Sequence, residues 1–195
     1  MSRGIAHAMN LALLLTVLLV VSVAAGESDA SSSSPQPCCF PNQFTSKSLN
    51  VQYRRWATVT YDYTNQRKMV QFVDSDEFYH FDLSAHVTSY GHTNGQCKNY
   101  TTIGYTLTDR CIPDDAQFDQ DAGSLIGPSL GVNSFRLNSE SQTGIVTVSQ
   151  DNCYPIAYSL TDPTAGENLY VLITEIKEEI DPSVFDVDLS KCVCS

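Results

Sequence analysis

The chain has 195 residues, 42% of them apolar and 17% charged, and a formal net charge of −11. Acidity on this scale, with no Lys/Arg cluster to offset it, repels phosphate backbones and excludes nucleic acid as a partner, while favouring cations and basic surfaces. Beyond the first residues no run is apolar enough to cross a bilayer, so no transmembrane segment is expected.

The N-terminus carries Arg3, an apolar run from Leu11 to Val23 and then the small residues Ala24, Ala25 and Gly26. A charged start, a short apolar stretch and a small-residue exit describe a cleaved secretory signal over 1–26, in preference to a retained signal anchor. Residues 27–37 hold four consecutive serines and two prolines and no large apolar side chain. Such a segment cannot bury enough surface to offset the entropy of ordering, and it reads as a flexible leader. Residues 38–195 are long enough for one domain with its own core.

Strand composition begins at Leu49 and runs to Tyr63, where Val51, Tyr53 and Arg55 alternate with Gln52, Arg54 and Trp56. Thr64-Asn65-Gln66 makes a turn, and Met69, Gln71 and Val73 alternate with Val70 and Phe72 on the return strand of a hairpin. Further strand-like stretches cover 78–83, 86–90, 98–106, 134–137, 144–149, 154–160 and 169–176, punctuated by Gly, Asn, Asp and Pro. The best helix candidate, 173–181, follows the strand-favouring run Tyr170-Val-Leu-Ile-Thr, and it reads as a strand that frays into an acidic turn. Many strands joined by short turns predict an all-β antiparallel sandwich or partly open barrel.

Four carboxylates, Asp114, Asp115, Asp119 and Asp121, fall within eight residues, with Gly123 just beyond. Calcium takes six to eight hard oxygen ligands, which clustered carboxylates and loop carbonyls can supply. The spacing is not that of an EF-hand, and acidic loops are commonly only solvated faces. His80, His86 and His92 recur every six residues, but on one straight strand the outer two would lie roughly 40 Å apart, too far for a shared metal. No nucleophile elbow of the G-x-S-x-G type occurs, so enzyme activity is not expected. The aromatic supply of ten Tyr, eight Phe and one Trp is large, and part of it must simply be core, the default for Phe72, Phe78 and Tyr170. Trp56, Phe72, Val73 and Leu172 are candidate walls of an apolar pocket, although the same residue types would also serve as plain core. Asn99-Tyr100-Thr101 is an acceptor sequon for glycosylation.

All seven cysteines, Cys38, Cys39, Cys97, Cys111, Cys153, Cys192 and Cys194, lie in the exported part and read as a disulfide framework. Three bridges among seven can be drawn in roughly a hundred ways, and the odd thiol is available for an intermolecular bridge in a homodimer. Zinc is the weaker reading, because no two CxxC pairs occur.

Several segments together resemble the ependymin-related family. They are Cys39-Phe40-Pro41-Asn42-Gln43-Phe44, Tyr61-Asp62-Tyr63-Thr64-Asn65-Gln66-Arg67, the stretch from Ile112-Pro113 through Phe118-Asp119 to Ile126-Gly127-Pro128, Cys153-Tyr154-Pro155, and Asp181-Pro182-Ser183-Val184-Phe185 ahead of the last two cysteines. The resemblance spans roughly Cys38 to Cys194. It implies two stacked curved antiparallel sheets around an apolar pocket, similar to the bacterial lipoprotein-carrier architecture. It also implies calcium at the acidic loop, with Asp114, Asp119 and Asp121 as candidate ligands. By the same resemblance the opening cysteine pairs with Cys153, and Cys97 pairs with Cys192 or Cys194, while Cys111 has no obvious equivalent.

The resulting expectation is a secreted, disulfide-linked, calcium-binding glycoprotein of the extracellular space or lysosomal lumen that holds a hydrophobic, lipid-like molecule between its sheets. The alternative is a calcium-dependent adhesion component that engages extracellular-matrix proteins and takes no small ligand. An apolar pocket of several hundred cubic ångströms favours the first, and a filled interior favours the second.

Overall fold

The computed structural model describes residues 34–84, 88–93, 96–100, 107, 109–124, 131–138, 143–161 and 168–187. The chain divides into two compact units, Met1–Ser34 and Pro35–Ser195, and the whole sheet belongs to the second.

Eleven strands form that sheet: β1 (Gln43–Asn50), β2 (Arg55–Asp62), β3 (Arg67–Phe72), β4 (Phe78–Asp82), β5 (Thr88–Thr93), β6 (Gln96–Tyr100), β7 (Gln117–Phe118), β8 (Val132–Asn138), β9 (Thr143–Ser149), β10 (Pro155–Thr161) and β11 (Asn168–Lys177). A five-residue helix, α1 (Gln120–Ser124), and 3-10 turns at Tyr63–Asn65 and Pro182–Phe185 complement them. The strand order is β6-β5-β4-β3-β2-β1-β11-β10-β9-β8-β7, and every pairing is antiparallel. One meander therefore runs outward from β1 to β6, and a second runs inward from β7 to β11. They are joined at the centre by the first and last strands.

The all-β antiparallel architecture is as the composition implies. The two expected layers are two halves of one continuous sheet, which does not close into a barrel. Both halves contribute to a single buried cluster that includes Phe44, Tyr61 and Val59 from one side and Phe135, Val146, Val148 and Leu160 from the other. Burying each such side chain contributes about 1.5–3 kcal/mol. Phe44 stacks on Tyr61 at 4.6 Å between ring centres, and Tyr61 on Tyr63 at 5.4 Å.

Two local differences from the sequence reading have physical causes. The segment Val51–Arg54, where alternation suggests strand, is a turn: Asn50 Oδ1 accepts the Tyr53 N–H, and Arg54 takes a positive φ of 52°. The strand on its N-terminal side, β1, has the polar sequence QFTSKSLN and gives little compositional signal. The turn expected at 64–66 is present. Asp62 accepts the Asn65 N–H, and Gln66 closes the turn at φ 53° with its N–H on the Tyr63 carbonyl. Gly144 is required where it stands, since a Cβ there would lie 1.9 Å from the Ser159 carbonyl of the neighbouring strand.

Cys38 is bonded to Cys153 and Cys39 to Cys111, across sequence separations of 115 and 72. These bridges fasten the segment ahead of β1 to the turn before β10 and to the approach to β7. Cys111, for which the resemblance offered no partner, is thus bonded to the opening cysteine block. Cys97 is also disulfide-bonded, and its expected partners Cys192 and Cys194 lie outside the described residues.

Candidate ligand-binding groove

Register places the inward side chains of β1 to β4 in rows across the sheet. Phe44, Tyr61, Lys68 and Phe81 form one row, Ser46, Val59, Val70 and Tyr79 the next, then Ser48, Ala57 and Phe72, then Asn50 and Arg55. The sheet curves so that Leu169 and Val171 of β11 and Tyr158 of β10 share a cavity of about 570 Å³ with these rows. Its walls are mainly the apolar atoms of Ala57, Val59, Val70, Phe72, Phe81 and Val171. That size and lining are typical of sites for small hydrophobic molecules.

The groove has a mouth and a deep end. At the mouth Tyr53 is 59% exposed, and the Arg55 guanidinium lies 3.7 Å from the centre of the Phe72 ring while bonding Glu77 Oε2 at 2.7 Å. At the deep end stands Lys68, only 2% exposed. Its ammonium lies 4.6 Å from the centre of the Tyr61 ring and 5.2 Å from that of Phe81. Burial pushes the Lys68 pKa from 10.5 down to about 7, because a low-dielectric site disfavours the charged form.

Of the four expected wall residues, Phe72 lines the groove. Trp56 and Leu172 are the two register partners of Leu49, one on each side of it, on the outer face of the sheet. Alternation along β2 and β11 turns Ala57, Val59 and Val171 inward and their neighbours Trp56 and Leu172 outward. Val73 follows the end of β3 and is 56% exposed. Its N–H donates to the Trp56 carbonyl, and the Val51 N–H donates to the Tyr170 carbonyl. The exposed large apolar side chains Val51, Tyr53, Trp56, Val73 and Tyr170 therefore gather at the mouth end of the sheet. Lys68 does not stand out in the sequence. Its one signal is parity, since Lys68 shares an alternating face with Val70 and Phe72.

The acidic loop serves local structure. Asp119 accepts the Ala122 N–H at 3.0 Å, as a helix-capping carboxylate does, and also accepts from Arg136. The Ala122 N–H, helped by Arg136, holds its pKa below the ordinary carboxylate value despite some desolvation. Asp114 and Asp121 are exposed. Among the described residues no three His, Cys, Asp or Glu side chains gather where a metal ion could be held. His92 stacks on Phe78, His80 packs edge-on against Phe185, and His86 lies outside the described residues. Asn99 sits on β6 opposite Tyr90, and the rest of its sequon at Thr101 lies outside the described residues. No helix among the described residues is long and apolar enough to cross a membrane.

No family model matches the chain, and no curated protein matches it. Among solved structures it is similar to an uncharacterized conserved protein from Thermus thermophilus, with a TM-score of 0.53 and 10% identity over 80% of this chain and 91% of that one. At that identity the likeness is one of fold alone. What fold and groove define together is a class: a single curved antiparallel sheet with an apolar cavity on its inner face.

Proposed function

We propose that this protein is a secreted carrier or receptor for a hydrophobic, lipid-like molecule, which it binds in the groove on the inner face of its sheet. The observation that carries the reading is the cavity of about 570 Å³ with mainly apolar walls at the junction of the two half-sheets. The bridges Cys38–Cys153 and Cys39–Cys111, between distant parts of the chain, accord with an oxidising compartment. The resemblance to ependymin-related proteins belongs to the same proposal. A matrix-adhesion role driven by calcium would draw on the acidic loop, where Asp119 is engaged by the Ala122 amide and Arg136. Native mass spectrometry of the protein exported from a eukaryotic host, with solvent extraction, tests the proposal. A bound hydrophobic molecule at one per chain is expected. Protein that carries none, and takes up none when offered fluorescent fatty acid, would refute it.

A further inference from the structure

One strand gives the apolar groove a polar floor. After Phe44, the inward side chains of β1 are Ser46, Ser48 and Asn50. Their neighbours in register are apolar on both sides: Val59 and Val70 beside Ser46, Ala57 and Phe72 beside Ser48 on one side and Ile173 on the other, and Val171 beside Asn50. Small side chains leave room for a ligand, but alanine would leave the same room with no hydroxyl to desolvate. The hydroxyls therefore point to recognition.

The sheet itself does not satisfy them. Ser46 is 1% exposed, and its Oγ has no hydrogen-bond partner among the described residues. The Ser48 hydroxyl and the Asn50 Nδ2 amide also bond none of them, while Asn50 Oδ1 is taken by the Tyr53 N–H. Elsewhere the same sheet pairs its hydroxyls, Ser134 with Thr147 at 2.7 Å and Thr45 with Thr60 at 3.3 Å. Ser48 and Asn50 line the cavity, and Ser46 belongs to the register row of Val59, Val70 and Tyr79, which line it too. Buried polar groups are nearly always hydrogen-bonded, so a stripe left unpaired by its own fold is suited to a partner from outside the chain.

Resting on the proposed groove, we infer that the ligand is an uncharged lipid with a hydroxyl-bearing head, of the monoacylglycerol kind. The head lies over Ser46, Ser48 and Asn50 on β1, and the acyl chain crosses β2, β3 and β4. The stripe offers donors and acceptors without charge, and the cation at the mouth, Arg55, is committed to the Glu77 carboxylate. A hydroxyl both donates and accepts, so it can exchange hydrogen bonds with serine and accept from the Asn50 amide. Ser48 and Asn50 stand about 7 Å apart along the strand, a gap that two adjacent hydroxyls and their hydrogen bonds span. From β1 to β4 the apolar wall covers three strand spacings, about 14 Å, over Val59, Val70, Phe72 and Phe81.

The test titrates delipidated secreted protein, Ser48→Ala and the double variant Ser46→Ala/Ser48→Ala with monododecanoylglycerol, methyl dodecanoate and dodecanoic acid near neutral pH. Far-ultraviolet circular dichroism first checks that each variant is folded. The wild type is expected to bind the glyceride about tenfold more tightly than the methyl ester, the scale of one or two net hydrogen bonds. Ser48→Ala is expected to cut that preference at least about threefold, and the double variant to abolish it while holding the methyl ester within about twofold. The double variant should also raise the urea midpoint of ligand-free protein, because it removes a buried hydroxyl that has no partner. A lowered midpoint would show Ser46 satisfied without a ligand and remove it from the site. Equal affinity of the wild type for glyceride and ester, or a preference that survives the double variant, would overturn the head position on β1 and leave the groove standing. Tighter binding of dodecanoic acid than of the glyceride would overturn the uncharged head. Failure of all three lipids to bind would refute the groove itself.

Discussion

The Lys68 ammonium lies 4.6 Å from the centre of the Tyr61 ring, inside a row that is otherwise aromatic. With the folded pKa near 7 and an ordinary value of 10.5, the unfolded chain binds more protons than the folded one between those pH values. Stability of the wild type therefore rises with pH across that window, and the full penalty applies below it. Lys68→Met should raise the urea midpoint of ligand-free protein at about pH 6.5, and the gain should shrink by about pH 9.5. A variant less stable than wild type at both values would show that the lysine supports the fold.

Asp62 is fully buried and accepts from Gln43, from the backbone and side-chain amides of Asn65, and from Arg67. Burial pushes its pKa up, but those hydrogen bonds outweigh the push and hold it below 3.8. A lowered folded pKa contributes stability that is present above the unfolded value and lost as pH falls through the folded one. Asp62→Ala takes the shared acceptor from the half-buried Gln43 and Arg67 and from the Asn65 amides, and should cost about 1–3 kcal/mol in chemical denaturation at neutral pH. It should also flatten the acid limb of the stability profile. A loss under about 1 kcal/mol would mean that water replaces the carboxylate.

Asp119 joins α1 to β8 through the Ala122 amide and Arg136. Asp119→Ala should lower stability by about 0.5–2 kcal/mol, the usual value of a capping side chain, and by the same amount with or without millimolar calcium. Thermal melts with calcium and with chelator check this. A large calcium-dependent rise in Tm that the variant loses would make the loop a metal site.

How far the sequence reveals this molecule depends on which features are local. The hairpin of β2 and β3 is legible because Asp62, Asn65 and Gln66 hold their own turn chemistry. β1 is not, because QFTSKSLN is mostly polar on both faces and becomes strand through its pairing with β2 and β11, the latter more than a hundred residues away. The groove is legible in part, since Phe72 lines it, but the expected walls have the wrong parity at Trp56 and Leu172. Reading strand through Val51–Arg54 leaves no turn from which to count, and inward and outward positions differ by a single residue. Lys68 escapes notice because a charged residue in a short strand is normally a solvated one. Only the curvature of the finished sheet encloses it.

The most direct test of the groove compares Phe72→Asp with Trp56→Asp in a titration of delipidated protein with an environment-sensitive fluorescent fatty acid. Phe72 lines the cavity and Trp56 faces outward one strand away. Phe72→Asp is expected to weaken probe binding by at least about tenfold, as a charge in an apolar wall should, while Trp56→Asp changes it less than about threefold, as for a site outside the buried contact. Equal losses in the two variants, or a larger loss for Trp56→Asp, would contradict a site on the inner face of the sheet.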